Sequence, residues 1–266
     1  MRSSEISAAN AAHPRQLELH CQRWGHRRAS YRPAGEIFDP RRASVEPIEE
    51  REAKAFVETM HYSGSYPAAR FRAGVFVKEP FQKARLAGVG VFSVPMNQKV
   101  IPAYFQDLAP SEGVELGRFV LAEDLAANAE SWALARMKKL LRQALPAVRG
   151  VVAYSDPIER RDETGDLVKR GHVGTIYKAT NAAYRGLSSA RTLWLAPNGS
   201  SLADRLLSKV RNSESGERYA LERLAALGAP RRQPHESGAA YVLRLKEERW
   251  LRPVRHPGNH AFTWSL

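Results

Sequence analysis

Hydrophobic and polar positions along this chain follow two periods, and each change of period marks an element. Residues 16–24 set Leu17, Leu19 and Cys21 against Glu18, His20 and Gln22, the alternation of a half-buried strand. Over residues 47–60 the period lengthens. Ile48, Ala55, Phe56 and Met60 line one face of a helix whose front carries Glu49, Glu50 and Glu52, as the helix dipole prefers. Residues 70–78 and 85–94 read as two strands of a hairpin or meander, and 114–122 as a third strand. Residues 128–145 then form a helix that buries Ala133, Met137, Leu140, Leu141 and Ala144 and stops at Pro146. The β-branched run 151–154 follows, so 114–154 predicts a βαβ unit with parallel strands.

Beyond that unit, Val173, Ile176, Tyr177, Ala183 and Tyr184 recur at helical spacing, which predicts a helix from about residue 171 to a stop at Gly186. Residues 191–196 read as a strand closed by Pro197, Asn198 and Gly199. Ser201 and Asp204 have capping-box spacing ahead of a helix on Leu202, Leu206, Leu207 and Val210. A helix at 217–227 and a late strand at 241–245 complete the expectation.

Charge narrows the class of partner. The 266 residues hold 41 Lys and Arg against 28 Asp and Glu, a net charge of +13, which favours an anionic partner such as nucleic acid over a merely soluble basic protein. Arg23, Arg27, Arg28 and Arg32 interleave with Trp24 and Tyr31, suiting either a nucleic-acid arm or a solvated surface strand. Arg231 and Arg232 head a basic last third, and Lys178 adds a cation near the centre. Cys21 is alone, which fits a reducing compartment. No apolar run approaches a membrane span and no signal-peptide core is visible, so a cytoplasmic location with no membrane association is expected.

The chemistry concentrates at 151–186. Asp156 follows a buried strand, and His172 and Tyr177 open the next helix; ligands in open α/β sheets collect at that edge. Each residue alone has a plain alternative: Asp156 as turn former, His172 as cap, Tyr177 as core. His61 and Tyr62 sit in a turn that either holds a ligand or ends the first helix. Asn128 and Ser131 start a helix at a strand's carboxyl end, where amides can hold a phosphate, although Glu123, Asp124 and Glu130 repel one. His61, His172 and Asp156 are the two imidazoles and the carboxylate of open non-haem iron sites, so a metal is expected there if they converge.

Five strings carry a resemblance: Met60-His61-Tyr62-Ser63, Glu115-Leu116-Gly117-Arg118, Asn128-x-Glu130-Ser131, Tyr154-Ser155-Asp156, and the unbroken run from Gly171 to Asn181. On these the chain resembles the Mom family of bacteriophage DNA-modification proteins, within the GCN5-related N-acetyltransferase (GNAT) type. The resemblance covers roughly residues 51–211, and 255–264 besides. It implies an α/β (α+β) fold with a mixed central sheet flanked by helices. Together with the residue pattern, the expected organisation is a basic N-terminal arm with one strand (1–46), which the resemblance leaves unexplained, an acetyltransferase-like core (47–211) and a basic C-terminal extension packed on it (212–266). The resemblance also implies an enzyme that alters the exocyclic amine of adenine, carbamoylmethyl-type, to block host restriction in the cytoplasm of the host cell. Acetyl-CoA or another acyl donor and iron are the implied cofactors, and double-stranded DNA with the adenine flipped out is the implied partner.

The implied catalytic residues are His61, Tyr62, Arg118, Asp156 and Tyr177; Arg118, Val120, Asn128 and Ser131 would hold the donor. Arg23, Arg27, Arg28, Arg32, Lys178, Arg231 and Arg232 are the expected DNA contacts. Two features depart from the pattern: a charged insertion at 158–169, and the lack of glycine at 123–128. An acyltransferase for another amine, and a DNA-binding protein without catalysis, remain the alternatives.

Overall fold

The computed structural model describes residues 37–266 and, before them, the backbone of two antiparallel strands, β1 (Leu19–Gly25) and β2 (Arg28–Pro33). The side chains of Arg23, Arg28 and Arg32, and all of Arg27, lie outside the described residues. Next come β3 (Ala43–Pro47), α1 (Glu50–Met60), β4 (Ala69–Val77), β5 (Arg85–Ser93), the short α2 (Val100–Tyr104), β6 (Gly113–Leu121), α3 (Ala129–Ala144) and β7 (Gly150–Ser155). A hairpin of β8 (Arg160–Arg161) and β9 (Leu167–Lys169) leads to α4 (Thr175–Ala179) and β10 (Ala183–Leu187). The chain ends with β11 (Arg191–Leu195), β12 (Ser201–Leu202), α5 (Asp204–Arg211), α6 (Glu217–Ala226), α7 (Gly238–Glu247), β13 (Arg252–His256) and β14 (His260–Ser265).

Seven strands form a mixed central sheet in the order β10-β14-β7-β6-β5-β4-β3, antiparallel throughout except for β6 and β7. The βαβ reading of the middle of the chain holds, because a parallel pair needs a crossover and α3 supplies it. The pleat sorts side chains between two faces. On one, Phe92, Leu116, Val151, Ala153 and Phe262 pack with Leu134, Met137 and Leu141 of α3. On the other, Val89, Val91 and Val120 meet Ala53 and Val57 of α1. Each large side chain buried this way contributes about 1.5–3 kcal/mol before entropy is counted. The fold class is therefore mixed α/β, a sheet sandwiched by helices.

A second core joins α5, α6 and α7 through Leu207, Val210, Leu224, Tyr241, Val242 and Leu245, beside the small sheet β12-β11-β13. Here several expectations fail. Residues 241–245 are helical: Tyr241, Val242 and Leu245 share a buried face at helical spacing, and Ser237 caps the helix by accepting from the Ala240 amide. The expected helix from 171 to 186 breaks after α4, where Asn181 takes a left-handed conformation (φ 61°) and the chain turns into β10. Ser201 is no helix cap, because it lies in β12, and Ala203 precedes α5. The boundary at 211/212 does not separate a C-terminal extension either. β13 pairs with β11, and β14 lies inside the central sheet between β10 and β7. Among the described residues no helix is long and apolar enough to cross a membrane.

Candidate functional site

Two neighbouring strands part company to make the site. β6 and β7 pair only at Gly113↔Gly150, Val114↔Val151 and Glu115↔Val152, after which β6 continues for six more residues without β7. A bulge adds to the divergence. Val91 pairs with Arg118 and Phe92 with Leu116, leaving Gly117 over. That extra residue places Glu115 and Arg118, which strict alternation would put on opposite faces, on the same face of the sheet. A Cβ at the bulge would meet Ser93 Oγ and crowd Pro67, so a larger residue there would have to turn Ser93 aside.

The opening is a cleft of about 1270 Å³ lined by Tyr62, Glu115, Arg118, Tyr154, Asp156, His172 and Tyr177. One arm follows Arg118 and Val120 to the start of α3 at Asn128 and Ser131. The other runs past Ser188, Ser189 and Arg191 toward β12.

Asp156 caps β7 and is 8% exposed. Its Oδ1 accepts from the Ile158 amide and from His256 Nε2, each at 3.0 Å, and its Oδ2 takes Arg160 Nη2 at 2.5 Å with Lys169 Nζ at 3.5 Å. Burial pushes this carboxyl up, but Lys169, Arg160 and the His256 hydrogen bond outweigh it and hold the group well below the usual carboxylate range. Lys169, fully buried, also donates to the carbonyls of Asp156 (2.9 Å) and Ile158 (2.8 Å), and burial lowers its ammonium to about 8 against the pull of Asp156. His256 accepts the Gly258 amide at Nδ1 (3.0 Å), which leaves Nε2 to donate to Asp156. Asp156 is thus the ionised centre of a buried network, and a poor proton acceptor.

The turn after α1 faces this network. His61 Nδ1 accepts the Ser63 amide at 3.1 Å, and its ring stacks on Tyr62 with centroids 4.3 Å apart. Burial, together with Arg118, His172, Arg160 and Lys169, keeps His61 neutral at neutral pH. Arg118 pins the turn to β6: Nε and Nη2 donate to Ser65 O (3.0 Å) and Ser65 Oγ (2.8 Å). Arg160 lies over the Tyr62 ring, 5.3 Å from its centroid. His172 is also neutral, because burial and Lys169 lower it to about 4 against the attraction of Asp156.

Tyr177 reaches the cleft from α4, wedged against Phe262 and Trp264 with centroids 5.3 and 5.5 Å away. Burial raises its phenol far above the usual range, and the nearby Tyr62 and Glu115 add to this. Glu115 is the contrast to Asp156. Half-buried in the cleft wall, its carboxyl makes no side-chain hydrogen bond or ion pair among the described residues. Burial raises it and only Arg118 opposes.

The five expected catalytic residues, His61, Tyr62, Arg118, Asp156 and Tyr177, therefore converge on one cleft with Val120, Asn128 and Ser131. The charged insertion at 158–169 is the β8–β9 hairpin, and it delivers Arg160 and Lys169 to Asp156. Glu115, Arg160, Lys169 and His256 were not singled out from the sequence. Arg232 does not offer a free cation for DNA: it is held by Glu217 Oε1 and the Glu236 carbonyl. Arg231 and Lys178 are exposed.

A model of the Mom protein family matches residues 42–249. The chain belongs to the Mom protein family. No curated protein matches this family member. Among solved structures, a tandem GNAT protein from the clavulanic acid biosynthesis pathway, determined without AcCoA, aligns with a TM-score of 0.39 and 8% identity, over 84% of this chain and 98% of that one.

Neither implied cofactor fits this Mom family chain fully. Iron does not fit: among the described residues no group of three or more His, Cys, Asp or Glu could hold a metal. His61, His172 and Asp156 line one cleft, but both Asp156 oxygens are taken by cations and N–H donors and His61 Nδ1 by Ser63. Arg118, Val120, Asn128 and Ser131, the residues expected to hold a donor, line one arm of the cleft. A diphosphate fits poorly there, since Glu130 is buried in the first turn of α3 with Glu123 and Asp124 just before it.

Proposed function

We propose that this cleft is the catalytic centre of a DNA-modifying, acyltransferase-like enzyme that acts on the exocyclic amine of an adenine extruded from the duplex. The observation that supports this reading is the pair of carboxylates with opposite surroundings: Asp156 locked in its ionised form, and Glu115 raised by burial and without a partner. Environments that push two carboxylates apart assign one to structure or charge and the other to proton transfer. Tyr62, Tyr154 and Tyr177 line the cleft with rings suited to a planar base. A donor of acyl or carbamoylmethyl type supplies the electrophilic carbon. The amine nitrogen forms a bond to that carbon, the leaving group departs with its bonding electrons, and the amine proton passes to Glu115. Asp156 acts at one remove: through Arg160 it orients the ring of Tyr62. On this reading the product protects phage DNA from host restriction.

Mass spectrometry of nucleosides from cells making the protein is the test. A new adenosine-derived nucleoside, absent with Glu115→Gln, is expected. Unaltered DNA accompanied by an acylated small amine would favour a transferase for another substrate. Unaltered DNA with no acylated amine would leave only a DNA-binding role.

A further inference from the structure

Two large apolar side chains in the cleft wall stand in solvent: Met96, 91% exposed, and Val173, 51% exposed. Val94, 54% exposed, lies two residues before Met96. Phe81, Tyr219 and Leu243 are exposed as well but do not line the cleft. Met96 belongs to the turn between β5 and α2, and both ends of that turn are fastened. The Val94 amide donates to the Ala68 carbonyl at 2.9 Å. The Lys99 amide donates to Asn97 Oδ1 at 2.9 Å, and the Val100 amide to the Asn97 carbonyl at 3.3 Å. Just beyond, Ile101 is buried over Gly113, and Tyr104 sits against Tyr154 of the cleft wall with ring centroids 6.2 Å apart. A fastened turn therefore holds one long apolar side chain at the mouth of the cleft, almost wholly in water. Beside it Asn97, Gln98 and Lys99 are exposed, residue types that bond to a phosphate backbone.

We infer that Met96 is a wedge: as the adenine leaves the duplex for the cleft, this side chain enters the base stack and occupies the gap. The inference rests on the extruded-adenine reading above and adds a positioning residue to it. Extruding a base strips stacking contact from both of its neighbours. An apolar side chain placed between them restores contact and keeps the base from swinging back. Methionine suits that task, because it is unbranched, turns about three bonds and carries a polarizable sulfur, so it adapts to an irregular gap. Val173 is shorter, stiff at χ1 and half covered, which suits the rim of the cleft and not the stack. A methionine left in water gives up the stabilisation that burial would bring, and the stacked bases are the apolar surface that would cover it.

The test uses 2-aminopurine, an adenine analogue that brightens when unstacked, placed between randomised flanks in a pool of short duplexes. With the analogue paired to thymine, wild-type protein should brighten the pool on binding. Met96→Ala should still bind, as followed by anisotropy, yet lose roughly tenfold or more of the extruded population, since unstacking one step is worth more than a decade in an equilibrium constant. Met96→Leu keeps the apolar bulk and should regain most of the signal. In a second pool the analogue lies opposite an abasic site, where extrusion breaks no base pair, and wild type and Met96→Ala should brighten it alike. Met96→Ala that brightens the paired pool as wild type does overturns the wedge and leaves the proposed reaction standing. So does a loss that extends to the abasic pool, or one that Met96→Leu fails to restore. Wild-type protein that does not bind the paired pool, or binds without brightening it, overturns the extruded-adenine reading and the wedge with it.

Discussion

Asp156→Asn should unfold this protein more readily, and not merely silence it. The carboxylate faces two buried cations at once: the side chains of Arg160 and Lys169 are 8% and 0% exposed. An amide keeps an oxygen for His256 and the Ile158 amide but removes the charge both cations depend on. Breaking a buried ion pair from one side costs about 3–5 kcal/mol, because the remaining charge is left in a poorly solvated place. Total stabilities run only to about 5–15 kcal/mol, so roughly a fifth or more of the margin is at stake. For a chain of this size the thermal midpoint should fall by roughly 6–20 °C. Scanning calorimetry and urea titration measure it. Adding Lys169→Met to Asp156→Asn should recover part of the loss, and a double-mutant cycle isolates the coupling. An Asp156→Asn protein within about 0.5 kcal/mol of wild type, or a second substitution that only adds to the damage, would refute the network.

Glu115→Gln has the opposite signature. Activity should fall by about 10²–10⁴, as for loss of a general base, while the thermal midpoint rises, since a carboxyl raised by burial destabilises the fold wherever it is ionised; a drop in both would make Glu115 structural. Acid should act in two stages. His172, lowered from 6.5 to about 4, binds its proton more tightly when unfolded, so stability is lost as pH falls through that window; Asp156, depressed, withdraws its contribution only below 3.8. Urea titrations from pH 7 to 2 should show both, and His172→Asn should make the first shallower without removing it, because His61, lowered by its own burial, draws on the same window. Gly171→Ala should cost about 2 kcal/mol or more, because its Cβ would run into the Pro157 carbonyl, backbone that cannot swing aside; an unchanged urea midpoint would contradict it.

Much of the fold was legible because its period was strong and local. α1, α3 and β4 to β7 follow from apolar spacing and from where Pro and Gly interrupt it. Residues 241–245 were misread because Tyr-Val-Leu-Arg-Leu is a short, mostly apolar run that suits a strand as well as a helix, and only the packing of Tyr241, Val242 and Leu245 against α5 and α6 decides for helix. Short runs are the least decidable from one sequence. In the site, Asp156, His61, Tyr62, Arg118 and Tyr177 stood in recognisable strings. Arg160 and Lys169 looked like solvated charges of an insertion, and nothing local says that a hairpin folds them inward. His256 lies 100 positions from its partner, so only the pairing of β13 with β11 and of β14 with β7 brings it there. Glu115 was in plain view beside Arg118, but inside a strand it reads as an ordinary solvent-facing residue until the bulge at Gly117 is known.

The place of β14 has a consequence for how the protein is made. β7 leaves the ribosome about a hundred residues before the strand that pairs with its outer edge, so that edge must wait unpaired while all of α4 to α7 is synthesised. Closing so long a loop is slow, and an open apolar edge invites wrong partners in the meantime. His256 arrives in the same late segment, and with it the last hydrogen bond to Asp156. A nascent chain therefore cannot assemble the cleft early: the sheet and the catalytic network close together, in the last moments of synthesis.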